Sequence, residues 1–427
     1  MRSAFFSVLI SVSLAVPCCA QTPQTLTLPE AEQIAIKNHP QIQAATQLAS
    51  AAVSQVREVR SVYFPQAFGS LTGVEAENGS RIAAGALNNP SIYDRFADGA
   101  TVSQLVTDFG RTHELVKSSS LHARAQQENV VTTRADVLLQ VNQAYFTVLR
   151  TQAVLQVAEQ TVKSRQLVSD QITALQQNNL KSGLDVSFAN VDLAQAQLLL
   201  IQAQNDVQTS FAELSAALGY PDQRTFALAD QTQAPEPPPE YAPLLREALQ
   251  NRPEIISQGF SVKSAQSFAT AERDLYFPTI SAVGVAGTVP YRQDILPSRY
   301  AAAGFNVNIP IFNGWLFTAR KNEATSEARA QEQFLRDTQD RISRDVRTAW
   351  LNANSAYQRL SVTEQLLNAA NQALELAQSR YRLGLSSIIE FSQAQLNQTQ
   401  AQITNVSAKY DYETQTALLD YQLGRLQ

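Results

Sequence analysis

Cysteine is almost absent. The 427 residues hold two, Cys18 and Cys19, both at the start of the chain. Processing after Ala20 would leave no disulfide and no thiolate chemistry. Histidine is scarce as well, and His113 and His122 do not share one helix face at ligand spacing, while His39 stands alone, so no metal site is expected. Lysine and arginine are scattered without a basic run and the formal net charge is only -5, which excludes a nucleic-acid binder. After Ala20 no apolar run approaches the ~20 residues of a spanning helix, so a mature chain that crosses a bilayer does so with strands. Gly-rich phosphate loops, Gly-x-Ser-x-Gly and His-Glu-x-x-His are all missing. Asp337 and Asp340 sit among Arg336, Arg341 and Arg344, as on a solvated helix face. No catalytic residue, cofactor or metal is expected, and the chain is not read as an enzyme.

Residues 1–20 read as a signal peptide. Arg2 supplies the positive start, Ala4 to Val16 the short apolar stretch, and Pro17-Cys18-Cys19-Ala20 ends in small residues suited to cleavage. Lipidation at Cys19 is the competing use of the same segment, and Pro17-Cys18 before it is a poor fit.

The strongest periodicity lies between Ser343 and Gln398. Val346, Ala353, Leu360, Leu367, Leu374 and Tyr381 recur every seven residues. Ala349, Ala356, Thr363, Ala370 and Ala377 follow three behind, so the stretch is the seam of a long helix against another helix. The first half of the chain has a similar stripe at Val141, Val148, Leu155 and Val162. Neither Arg111–Ser182 nor Trp315–Leu383 contains glycine or proline, and at ~1.5 Å per residue each could approach ~100 Å. Return helices are expected over Asp185–Leu218 and Ser387–Leu423, with glycine turns between.

The mature chain repeats. Asn38-His39-Pro40 recurs as Asn251-Arg252-Pro253, Tyr63-Phe64-Pro65 as Tyr276-Phe277-Pro278, Gly183-Leu184 as Gly384-Leu385, and Leu218-Gly219 as Leu423-Gly424, always in the same order. The expected division is 21–231 for the first repeat, 232–240 for a proline-rich linker and 241–427 for the second repeat. Each repeat opens on a helix (Leu28–Val62, Pro243–Leu275) kinked at its proline. Two strands follow: Phe64–Val74 with Arg95–Val106, then Pro278–Val289 with Tyr300–Ile311, as hairpins over 63–107 and 276–312. Each strand has about the ten residues of a tilted bilayer-crossing strand. Tyr63, Phe64, Phe109, Tyr276, Phe277, Phe312 and Trp315 cluster at one strand end, and Tyr93, Phe96, Tyr291 and Tyr300 at the other, as two interfacial girdles. Four strands cannot close a barrel and a lipid-exposed edge is costly, so closure requires several chains. Two chains give eight strands with a filled interior; three give twelve and a lumen.

This ordered set resembles the TolC family of outer-membrane efflux ducts. The doubled Asn-x-Pro and Tyr-Phe-Pro pieces carry the resemblance. So do the strand exits Asp108-Phe109-Gly110 and Phe312-Asn313-Gly314, the stretch Ile309-Pro310-Ile311-Phe312, and Arg380-Tyr381-Arg382-Leu383-Gly384-Leu385. It implies a mainly α fold of long antiparallel hairpins plus a shared twelve-stranded transmembrane β-barrel in a homotrimer. It further implies an outer-membrane location with a long periplasmic tunnel, and docking to a periplasmic adaptor and, through it, an inner-membrane pump. The function implied is a passive exit duct for small molecules. The alternatives are the duct of a type I protein secretion system and, in another class, a non-membrane coiled-coil structural protein.

The tip turns Lys181-Ser182-Gly183-Leu184-Asp185 and Arg382-Leu383-Gly384-Leu385-Ser386 are then the periplasmic entrance and adaptor contact. In each, glycine is expected to take the left-handed conformation that ends a helix; Asp185 can cap the returning helix, and Ser387 with Glu390 fits a capping box. Glu390 falls where the resemblance suggests an acidic ring that favours cations. Tyr381 matches an aromatic that holds the entrance closed, but Phe188 and Ala189 occupy its partners' slots and Ser386 replaces a basic residue. Arg380, Arg382 and Asp185 are the remaining candidates for that lock.

Overall fold

The computed structural model describes residues 25–75, 77, 93–230 and 234–426. The expected signal peptide with Cys19, most of the first interstrand loop and the start of the linker lie outside them.

The chain runs twice through one order of elements. The first pass is α1 (Leu28–Asn38), α2 (Pro40–Arg60), β1 (Gln66–Val74), β2 (Arg95–Thr107), α3 (Arg111–Gln177) and α4 (Gly183–Ala217). The second is α5 (Tyr241–Asn251), α6 (Pro253–Arg273), β3 (Thr279–Arg292), β4 (Arg299–Asn308), α7 (Leu316–Arg382) and α8 (Ile388–Leu423). The helices before the strands are not kinked single rods. His39 (ψ 123°) and Arg252 (ψ 121°) are extended, and each separates two helices. A residue before proline is driven out of the helical region, whereas proline itself suits the first helical position.

The doubled motifs meet in space. Gly219 takes φ +79°, and a Cβ there would lie 3.0 Å from the Asn38 carbonyl and the His39 Cα. Gly424 takes φ +75°, and a Cβ there would lie 3.2 Å from the Asn251 carbonyl. Leu218 and Leu423, beside these glycines, are fully buried. Each return helix therefore ends against the break before its own repeat's proline. These two joints form a waist, where Val141, Tyr145 and Leu214 on one side and Val346, Ala353 and Leu419 on the other fill the main cores. The Tyr145 hydroxyl lies within hydrogen-bonding distance of the carbonyls of Ala229 (2.7 Å) and Leu26 (2.9 Å), tying the linker region to the start of the described chain.

Below the waist, α3 and α7 run on as rods of 67 residues each, with returns of 35 and 36. On α7 the small seam residues Ala349, Ala353, Ala356, Thr363, Ala370 and Ala377 are buried, while Leu360, Leu367 and Leu374 are half-buried. Small residues let the helix axes approach closely, so the seam closes on alanine and the leucines flank it. Helix α4 is long and apolar enough, by length and composition, to cross a membrane, against the expectation of no such run. Its apolarity has a local cause: Ala189, Ala196 and Ala203 are buried, while Leu184, Val191 and Leu198 form a second seven-residue stripe that is exposed.

The four strands make one antiparallel sheet in the order β1-β2-β3-β4, so the central pair joins the two halves. The register puts Leu71, Val102, Ala282, Gly284, Ala303 and Phe305 on one face, with Asp98 and Gln104 among them, and Ser70, Thr101, Ser281 and Asn306 on the other, with Phe68, Leu105, Val283 and Val285. Strand β4 ends at Asn308, short of the expected Ile311, because Pro310 has no N–H for the ladder. Tyr300 lies on the face of Thr101 and Ser281, over Gly99 and Gly287, rather than in an interfacial girdle. Any side chain at either glycine would collide with its ring.

Candidate functional site

Both helical tips use the same backbone device. After α3, Asn179 is left-handed (φ 58°), its amide donating to Gln176 O at 2.8 Å and that of Leu180 to Leu175 O at 2.9 Å. After α7, Gly384 (φ 73°) takes that role, with amide bonds from Gly384 to Tyr381 O (3.1 Å) and from Leu385 to Arg380 O (2.8 Å). This pair of bonds satisfies carbonyls that a helix end leaves free. Ser182 and Ser387 then cap the returns. The matching turns are therefore Asn179-Leu180-Lys181-Ser182 and Gly384-Leu385-Ser386-Ser387. The expected match of Gly183 with Gly384 is displaced by one helical turn, and Gly183 opens α4 without a left-handed backbone. Asparagine is the other residue that tolerates that conformation, which is how Asn179 carries the turn without a glycine signal.

The caps differ. Ser182 and Asp185 form the full reciprocal box: the Ser182 hydroxyl accepts from the Asp185 amide (3.2 Å), and the carboxylate accepts from the Ser182 amide (3.0 Å) and hydroxyl (2.7 Å). The box expected at Ser387 is half made. Ser387 accepts from the Glu390 amide at 3.4 Å, but the Glu390 carboxylate lies 3.2 Å from Arg380 Nε. A guanidinium on the preceding helix is a stronger partner for a carboxylate than a backbone amide. Arg380 also donates to Leu385 O at 3.4 Å.

Tyr381 connects the two hairpins. It is buried with Ile172, Ala189, Ile388 and Phe391, and its ring stacks on Phe391 at 5.4 Å and 9°. Lys181 Nζ sits 3.7 Å from the ring centroid, a close cation–π contact. Its hydroxyl donates to Asp185 Oδ1 at 3.4 Å. The polar partner thus comes from Asp185, one turn before the slots of Phe188 and Ala189, which supply packing instead. Burial and the Asp185 charge push the Tyr381 hydroxyl up to about 12. Burial works against ionisation of Asp185, but the Ser182 bonds, the Lys181 charge and the Tyr381 hydroxyl prevail and hold its carboxyl below the usual range.

Around this latch the tip surface is apolar. Leu184, Leu383 and Leu385 are exposed, together with Leu180, which sequence reasoning missed. Its signal was its place directly after a left-handed residue, visible only once Asn179 is recognised. Arg382 is exposed at the end of α7, and the Ser386 hydroxyl is buried without a partner. Among the described residues no cluster of His, Cys, Asp and Glu could hold a metal. The site offers no acid, base or nucleophile poised over a cavity. What it can do is hold two hairpins together by contacts that part without chemistry, beside a leucine surface.

Comparison with known proteins matches residues 32–220 and 244–425 to the family described as outer membrane efflux protein. The chain belongs to that family. Its members are channels of the outer membrane and not enzymes. Outer membrane efflux protein BepC of Brucella suis is 25% identical over 77% of this chain and 72% of its own length. Outer membrane protein TolC of Escherichia coli is 20% identical over 98% of this chain and 86% of its own. Matches to the Pseudomonas putida relatives span 61% of those proteins. The solved structure of the Campylobacter jejuni CmeC outer membrane channel superposes with a TM-score of 0.81 over 99% of this chain and 94% of that one, at 17% identity. The fold is thus the mainly helical, four-stranded fold of these channels.

Proposed function

We propose that three copies of this chain form one passive exit duct, the outer-membrane part of a tripartite efflux pump that conducts small molecules out of the periplasm. One observation carries the reading: a four-stranded sheet with two unpartnered edges is mounted on helices far too long to pack on it. Edges β1 and β4 need partners in a bilayer, and a threefold repeat supplies them as one twelve-stranded barrel with a lumen. The exposed stripe Leu184, Val191 and Leu198 on α4 suits a neighbouring copy as well. The leucines at the tips are the surface for a periplasmic adaptor, with Lys181, Ser182, Gly183, Asp185, Arg382 and Ser386 around them. Through the adaptor an inner-membrane pump supplies the energy. Tyr381, Arg380 and Glu390 gate or select at the entrance.

Recovery of the chain from the outer-membrane fraction as a detergent-extracted trimer is expected, and a water-soluble monomer refutes the reading. Deletion should sensitise cells to dyes, detergents or antibiotics. Unchanged sensitivity with loss of an exported protein would instead assign the duct to type I secretion.

A further inference from the structure

A cavity of about 660 Å³ lies at the waist between the two repeats, within the size range of small-molecule sites. Most of its wall is apolar: Phe146 and Leu149 on α3, Ala353 on α7 and Leu419 on α8. The linker residues Pro237, Pro238 and Pro239 form a further side. Proline has no N–H, so this side presents rings and carbonyls but no backbone donor. It is fixed at both ends. The Tyr412 hydroxyl accepts from the Glu236 amide (3.2 Å) and donates to the Glu236 carbonyl (2.8 Å), and Trp350 Nε1 donates to Pro239 O at 2.8 Å. A wall whose φ angles are locked and whose ends are tied is already in place before anything enters.

The charged residues that line the cavity are Glu236, Glu413, Asp420 and Arg425. Arg425 is committed elsewhere, to Glu247 at 2.8 and 2.9 Å and to Asp420 at 3.1 Å. Glu236 is exposed to solvent. Glu413 is half-buried on α8, and among the described residues none forms a hydrogen bond or ion pair with it. Burial is the largest influence on its carboxyl and pushes the pKa up; the charge of Lys409 opposes this, and that of Asp230 adds to it. The Lys409 ammonium itself lies 2.8 Å from Asp230. A cation entering the cavity would therefore meet a carboxylate with no cation of its own in contact, in surroundings where attraction is stronger than in water. The rings of Phe146 and Tyr412 offer faces that also favour positive charge. An anion would meet three carboxylates and one guanidinium already engaged. We propose that this cavity is a binding site for a small organic cation with an apolar or aromatic body, and that Glu413 is its counter-ion. This goes beyond the duct reading, since binding is a property of the folded waist and does not depend on conduction.

Ethidium is the probe, because its charge is permanent and its fluorescence rises in apolar surroundings. Titrated into the detergent-solubilised full chain, it should bind saturably at one site per chain. Glu413→Gln should weaken that binding about tenfold, while Glu413→Asp keeps the charge and should keep most of the affinity. Phenanthridine, the uncharged parent ring at neutral pH, should bind wild type and Glu413→Gln alike. Thr416→Phe fills the cavity and should abolish binding of both compounds. No saturable ethidium binding to the wild type overturns the proposal, as does unchanged affinity in Glu413→Gln or in Thr416→Phe. Equal losses of ethidium and phenanthridine in Glu413→Gln overturn it too, because charge would not be what is recognised. Failure of Glu413→Gln to fold would make the carboxylate structural and overturn it as well. A wild-type protein that forms no outer-membrane trimer overturns the duct reading and leaves the ethidium result standing.

Discussion

Gly219→Ala and Gly384→Ala test whether the waist joints or the tips carry the fold. Both glycines are left-handed, at φ +79° and +73°, so both substitutions place a Cβ in a conformation that costs about 1–2 kcal/mol. They differ in what the methyl meets. At Gly384 nothing lies within 4 Å. At Gly219 the methyl stands 3.0 Å from the Asn38 carbonyl carbon and oxygen and from His39 Cα. Those are backbone atoms pinned by the start of α2 at Pro40, and they cannot rotate away. Overpacking of this kind adds about 1–3 kcal/mol. Gly219→Ala should therefore cost about 2–5 kcal/mol in total and Gly384→Ala about 1–2. Gly424→Ala, with contacts at 3.2 Å, should fall between them. Thermal unfolding of the purified protein in detergent, followed by circular dichroism, should rank the three midpoints in that order. Equal shifts, or a larger loss for Gly384→Ala, would refute the idea that the doubled Leu-Gly and Asn-x-Pro motifs are two sides of one contact.

The remaining predictions concern the tips. Gly183→Ala should be neutral or stabilising by up to about 1 kcal/mol, since Gly183 is an ordinary helical residue; a marked loss of stability would restore it as a turn residue. The folded Asp185 carboxyl is held below its ordinary value, so its contribution is complete above the usual carboxylate pKa near ~4 and is lost as pH falls through the depressed value. Protection factors of the tip amides, taken against the intrinsic exchange rate at each pH, should thus fall at acid pH in the wild type, and Asp185→Asn should abolish that step; a step that persists assigns the pH dependence elsewhere. Arg380 and Glu390 form an exposed pair that adds little stability. In planar bilayers Glu390→Gln should shift selectivity toward anions and Arg380→Gln toward cations. Shifts of the same sign would show that the two do not act as a pair at the entrance.

Most helices and all four strands were readable because their signals are periodic. Seven-residue spacing marked α7, the absence of Gly and Pro marked the length of α3, and alternation marked β4. The waist joints were readable only as recurring words. That Leu218-Gly219 packs on Asn38-His39 is a contact between segments far apart in the chain, and no local pattern encodes it. The tip was misaligned because one left-handed position uses asparagine and the other glycine. The Glu390 cap was misassigned because a box motif does not record a competing guanidinium on the previous helix. The partner of Tyr381 lay a turn away from its expected slot, since the hydroxyl needs only a carboxylate within reach, whatever its number.

The two rods have equal lengths, 67 residues each, and nearly equal returns. Seven residues added to α7 and α8 alone would carry Tyr381 about 10 Å past Lys181 and Asp185. Seven added to one rod without its return would leave the waist glycine facing no break. Length can therefore change only in whole heptads entered into α3, α4, α7 and α8 together. The distance from barrel to entrance is in this sense a quantised dimension, which substitution can tune at its ends but not stretch.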